Sequence, residues 1–150
     1  MPRPHIPAVR VDVIRADPAL PLPAYAHAGD AGLDLLAAAS VTLPPGGREV
    51  VPTGLHVAIP EGYAGLVLPR SGLALRAGIT VLNAPGLIDS GYRGEIGVLL
   101  INHGAAAVTL GRGERIAQLV VQPVARATLV EVRDLEGSQR GAGGFGSTGT

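Results

Sequence analysis

The sequence predicts an all-β domain, a jelly-roll-like sandwich or barrel with one short helix and a flexible glycine-rich C-terminal tail. Glycine and proline together number 35 of the 150 residues (22 plus 13), too many for long helices and suited to frequent turns. Short apolar runs recur along the chain, several of them alternating with polar residues. The separators PLPAY, PPGG, PEGY, NAPG, HGAA and LGRGE carry the residues that end strands.

Taken in order, Val9, Val11 and Val13 alternate with Arg10 and Asp12, which predicts a half-buried first strand. Further strands are predicted over 31–38, 41–43, 48–59, 64–68, 79–82, 95–102, 107–110, 115–124 and 127–133. Residues 71–78 read differently. Ser71 is an N-cap type, helix formers follow, and Gly78 closes the run, so a short helix is expected. Residues 1–137 have the length of a single domain with its own core. Residues 138–150 are expected to form a mobile lid, because the end of the chain has one large apolar side chain among glycines and serines and cannot build a core.

Composition excludes several classes of function. Twelve basic and twelve acidic side chains leave no net charge, so nothing drives binding to a nucleic-acid polymer or an anionic membrane. No stretch has the length of a membrane-spanning helix, and the prolines and charges of MPRPHIPAVRVD fit neither a signal peptide nor a transit sequence. The absence of cysteine excludes disulfides and thiolate metal sites and permits a reducing compartment; a cytoplasmic protein is expected. Charged residues make up 16%, against about 25% in an ordinary domain, which predicts a homo-oligomer with part of its surface buried between subunits.

Two nucleotide motifs in the tail fail on context. Residues 141–146 satisfy GxGxxG, but the chain stops at 150, before the helix and acidic residue that a dinucleotide fold needs. A phosphate loop needs a lysine, and the chain has none. What remains is a strip carrying Arg140, Phe145, Ser147 and Thr148, either a polar tail or a lid with a guanidinium fork, a flat ring and two hydroxyls. The chain's only phenylalanine gains nothing from dangling in water, which favours the lid.

Three other stretches carry chemistry. In PRSGLAL (69–75), Arg70, Ser71 and Gly72 form either an anion site at a helix start or an ordinary cap beside a solvated arginine. In NAPGLIDSGYRG (83–94), prolines and glycines force turns that gather Asn83, Asp89 and Tyr92: an amide for a base edge, a carboxylate for a proton from water, a ring for a sugar face. A decorated turn is the alternative. Asp34 lies among apolar residues in AGLDLLA (31–37), either held near a metal-bound water or facing solvent.

AGLDLLA (31–37), PRSGLAL (69–75), NAPGLIDSGYRGEI (83–96), RIAQLVVQPV (115–124) and RGAGGFGSTG (140–149) resemble, in order and spacing, the five motifs of the trimeric deoxyuridine triphosphatase (dUTPase) family. The resemblance implies hydrolysis of dUTP to dUMP and pyrophosphate, with Mg²⁺ as cofactor, in a homotrimer whose active sites draw on three subunits. It implies that Asp34 helps hold Mg²⁺ through water, while Arg70, Ser71 and Gly72 bind the phosphate chain. Asn83 and backbone groups of the third-motif hairpin, from Gly86, Leu87 and Ile88 to Gly97, would pair with uracil. Asp89 would activate the attacking water, and Tyr92 would pack on the deoxyribose and exclude a 2′-hydroxyl. Gln118 would lie near the phosphates; Arg140, Ser147 and Thr148 would close over the γ-phosphate while Phe145 stacks on the base. Gly97 departs from relatives, which often carry a larger side chain there. A dCTP deaminase, of the same fold in the family picture, lacks the RGxGGFGSTG pattern, and a non-catalytic nucleotide sensor is expected to have lost Asp89 or Arg140.

Overall fold

The computed structural model describes residue 1 and residues 8–149; most of the proline-rich start, residues 2–7, and Thr150 lie outside the described residues. Among the described residues ten strands and one helix follow each other as β1 (Asp12–Arg15), β2 (Leu33–Leu36), β3 (Val41–Leu43), β4 (Arg48–Ala58), β5 (Tyr63–Leu68), α1 (Ser71–Ala77), β6 (Ile79–Val81), β7 (Gly86–Ile88), β8 (Glu95–Asn102), β9 (Val108–Leu110) and β10 (Arg115–Pro123). Two four-stranded sheets, ordered β1-β4-β8-β6 and β2-β10-β5-β7, face each other across the core, and β3 pairs with β9. All pairings are antiparallel. The predicted jelly-roll-like β fold is the observed one.

Alternation explains the layers. In β8, Ile96, Val98 and Leu100 point into the core, while Glu95 and Gly97 point out. Val51, Leu55 and Val57 of β4 meet Leu35, Val67, Ile116 and Leu119 from the other sheet. Asn102 is fully buried at the end of β8, where its amide donates to Leu43 O (2.9 Å) and Ala106 O (2.8 Å) and accepts from Gly104 N (2.8 Å). Every polar atom of that side chain is used, which is the condition for burying it. Leu100→Ala, at a position with no solvent exposure, is expected to cost about 2–5 kcal/mol, read as a lowered urea midpoint.

Three elements differ from the sequence prediction. The first strand begins at Asp12 rather than Val9, and all four of its residues are exposed. Among the described residues it lies on the sheet edge with only β4 beside it, and the apolar residue that packs on the core, Val11, precedes it. Gly86–Ile88, expected as part of a turn, is a strand because β5 offers it an edge. Residues 127–133, expected as a strand, have no strand assignment: among the described residues the sheets give the segment no partner, and Leu129, Val130, Val132 and the following Leu135 stand exposed.

Helix α1 also starts differently. Its N-cap is Arg70, with φ −97° and ψ 128° and no side-chain cap bond, and Ser71 is the first helical residue. The Ser71 hydroxyl is therefore not spent on capping. Gly78 closes the helix at φ 69°, as expected, its N–H reaching back to Ala74 and Leu73.

Candidate active site

The predicted site residues fall into two clefts and a tail. The first cleft lies where the free edges of the two sheets approach one another. Val81, Asn83, Gly97 and Leu99 border it from one side, and Gly86 to Asp89 with Tyr92 from the other. Among the described residues strand β7 pairs only with β5, so its other row of N–H and C=O groups meets no described strand. Asn83 has its amide nitrogen beside Gly86, where an added Cβ would lie 3.4 Å from it. An amide and an unpaired strand edge facing one pocket can read the donors and acceptors of a flat ring.

Asp89 follows β7 directly and is exposed on the rim between this pocket and a wider cleft bordered by Arg10, Arg93 and Arg126. Among the described residues its carboxylate forms no ion pair. Its backbone carbonyl accepts from Tyr92 N at 3.1 Å, closing the turn that sets the ring beside the pocket. Gly97 is explained by Val50, which leans across from β4: a Cβ at 97 would come within 2.6 Å of Val50 Cγ1.

The second cleft holds the polar groups. Asp34 on β2 faces Arg70 Nε at 3.4 Å and Arg115 Nε at 3.6 Å, with its side chain only 20% exposed. Ser71, Gly72 and Gln118 line the same space. Gln118 stands opposite both Asp34 and Leu68 in the sheet, and its amide donates to Pro69 O at 3.0 Å, so it holds the start of the Arg70–Gly72 segment in place. Gly32 leaves room for this, since a Cβ there would collide with the Gln118 side chain. A Cβ at Gly72 would lie 3.0 Å from Nη1 of Arg76, so a third guanidinium stands over the segment. Arg70 and Arg115 line the cleft beside Asp34, and Arg76 stands at its Gly72 rim, a set of guanidinium groups suited to a polyanion.

Sizes separate the two. The first encloses about 170 Å³ and the second about 590 Å³, so the narrow one suits a single ring and the wide one a hydrated phosphate chain. No residue lines both, so one chain does not bring Asp89 to Asp34 and Arg70 in a shared cleft. The tail joins neither. Residues 138–149 make local turns such as Gly143 N to Arg140 O and Ser147 N to Gly144 O (3.1 and 3.0 Å), Arg140 Nε donates to Gly143 O (2.8 Å), and Phe145 is fully exposed.

Sequence reasoning missed Arg115, Arg76 and Glu95, the last of which also lines the narrow pocket, and read Gly94 only as a turn former. All four sit in or next to the motif stretches, and Arg115 and Glu95 are charged residues at strand starts, the signal that was available.

Comparison with known proteins agrees with the arrangement. The family model described as dUTPase matches residues 19–149. The deoxyuridine 5′-triphosphate nucleotidohydrolase of Thermobifida fusca is 61% identical over 142 residues, covering 94% of this chain and 79% of the relative. That of Methylocella silvestris is 65% identical over 134 residues, covering 87% and 84%. Among solved structures, a variant of the Staphylococcus bacteriophage 80alpha dUTPase with dUpNHpp superposes with a TM-score of 0.88 at 30% identity, covering 95% of this chain and all of that one. A variant dUTPase of S. aureus phage phi11, described with a structural Mg(II) ion, superposes at 0.78 with 27% identity, covering 84% and 98%. A match over nearly the whole chain, to the family model and to relatives at 61–65% identity, shows that this chain belongs to the dUTPase family.

Proposed function

We propose that this protein hydrolyses dUTP to dUMP and pyrophosphate, by attack of an Asp89-activated water on the α-phosphorus, keeping uracil out of DNA and supplying dUMP for thymidylate synthesis. The observation that carries the reading is the narrow pocket in which Asn83 and the unpaired edge of β7 face one space with Asp89 on its rim. Uracil is read there by the Asn83 amide and backbone groups of Gly86, Leu87, Ile88 and Gly97. Cytosine in the same place leaves buried donors or acceptors unpaired, which discriminates by about 10⁴-fold or more. Tyr92 forms the wall against the deoxyribose.

The phosphate chain takes the wide cleft, on Arg70, Ser71 and Gly72, with Gln118 holding that segment. Among the described residues no group of three His, Cys, Asp or Glu side chains could hold a metal ion on protein ligands alone. A single carboxylate is nevertheless enough for Mg²⁺, which keeps several waters and takes substrate phosphates as ligands, so Asp34 fits as a contact through water. The chemistry that Mg²⁺ supplies when bound is neutralisation of charge on the phosphate oxygens. Arg70 and Arg115, now shared with Asp34, supply the rest from the protein.

The two clefts are separate in one chain, so a homotrimer in which the cleft of one subunit meets the pocket of another completes the site. The exposed side chains of Leu129, Val130, Val132 and Leu135 support such an assembly, because among the described residues their segment has no partner strand. Residues 138–150, from a third subunit, act as the lid, with Arg140, Ser147 and Thr148 on the γ-phosphate and Phe145 on the base. Among the described residues no helix is long and apolar enough to cross a membrane, and we place the enzyme in the cytoplasm.

Hydrolysis of dUTP, dCTP, dTTP and UTP with Mg²⁺ and with EDTA tests the reading. Pyrophosphate from dUTP alone, abolished by EDTA, is expected. Ammonia from dCTP assigns a deaminase instead, and binding of dUTP without product assigns a sensor.

A further inference from the structure

The third-motif segment is tied to β4 by three bonds that the proposed mechanism does not use. They meet at a bulge between Pro52 and His56, built on Gly54 at φ 69°, a conformation that glycine adopts at little cost. Thr53 Oγ1 donates to Ile96 O at 2.6 Å, Gly54 N donates to Oε1 of Glu95 at 2.7 Å, and His56 Nδ1 lies 3.0 Å from Arg93 O. The carbonyl of Glu95 in turn accepts the Tyr92 hydroxyl at 2.8 Å.

That last bond folds the ring back over Gly94. A Cβ at Gly94 would come within 2.5 Å of Tyr92 Cζ and 2.9 Å of Cε2. Gly94 is not among the glycines with positive φ, so the ring, rather than the backbone, excludes a side chain there.

We propose that Glu95 is a positioning residue for sugar selectivity: its carboxylate, seated on the Gly54 amide, fixes the carbonyl that holds the Tyr92 hydroxyl and thereby holds the ring over Gly94. The inference rests on the reading of Tyr92 as the wall that excludes a 2′-hydroxyl, and adds what keeps that wall in place. Tyr92 is 45% exposed, and an exposed tyrosine on a turn exchanges rotamers unless its tip is held. The tip is held by one carbonyl, whose own residue is anchored by a charge-assisted bond to a partly buried amide. Removing the carboxylate leaves that amide without its partner and loosens the carbonyl, although the Thr53 and His56 bonds still tie the segment to β4.

The test compares kcat/KM for dUTP and for UTP in the wild-type enzyme, Glu95→Ala, Glu95→Gln and Gly94→Ala. A wild type that fails to prefer dUTP overturns the functional reading itself, and the inference with it. With a selective wild type, Glu95→Ala is expected to lower the dUTP to UTP ratio about tenfold. Glu95→Gln restores it, because an amide oxygen still accepts from Gly54 N. Gly94→Ala pushes the ring aside and lowers the ratio with the carboxylate intact, and carries the test if Glu95→Ala does not fold. An unchanged ratio in Glu95→Ala or Gly94→Ala, an equal loss on both substrates, or a glutamine that fails to restore the ratio overturns the proposal.

Discussion

Asp89→Asn is expected to lose about 10²–10⁴-fold in kcat while still binding dUpNHpp with near wild-type affinity, the range that a positioned general base supplies. The substitution is nearly isosteric, and the structural contribution of Asp89 is made by its backbone carbonyl, which accepts from Tyr92 N and closes the turn. The amide therefore preserves the hairpin and removes only the ability to take a proton. An exposed carboxylate that forms no ion pair among the described residues is free to orient a water. Turnover in ¹⁸O-labelled water locates the attack: label in dUMP places it on the α-phosphorus, and label in pyrophosphate moves it to another phosphorus. A variant with unchanged kcat removes Asp89 from the chemistry.

How far the sequence reveals this molecule depends on whether a residue's partner is near or far in the chain. Strand β8 was legible because Ile96, Val98 and Leu100 alternate with outward residues, a pattern visible without knowing what they touch. Strand β7 was not, because Gly86-Leu87-Ile88 lies between turn formers and becomes a strand only through its pairing with residues 65–67 of β5. Residues 127–133 show the converse: the local pattern of a strand is present and the described residues offer it no partner edge. The same division holds at the site. Asp34, Arg70, Asn83 and Asp89 stand in compact motifs, each with chemistry suggested by a few neighbours, while Gln118 entered only through the resemblance of its motif. Glu95 was not readable, because its role follows from the Gly54 amide 41 residues away. Arg115 acquires its place by facing Asp34 across the β2–β10 pair, in a register that no local pattern encodes.

Deleting residues 138–150 is expected to leave a folded oligomer with turnover reduced by about a hundredfold or more. The described residues of this segment, 138–149, make only turns among themselves, and Phe145 touches none of the core, so their removal takes nothing from the sandwich. What is lost is a stacking contact worth about 1–3 kcal/mol on a base and a guanidinium of the kind that contributes 10³–10⁵ to phosphoryl transfer when it closes over developing charge. Only part of either is available to a lid that opens in each cycle, which sets the estimate near the lower end. Gel filtration with scattering and steady-state kinetics on the same preparation separate the two contributions of a tail. An intact oligomer that is nearly inactive on dUTP assigns residues 138–150 to closure. A dissociated one assigns them to assembly, and the exposed side chains of Leu129, Val130, Val132 and Leu135 then no longer suffice as the interface. Phe145→Ala isolates the stacking: it keeps Arg140, Ser147 and Thr148, and is expected to lower kcat/KM by about 5- to 150-fold, the rate equivalent of the stacking energy.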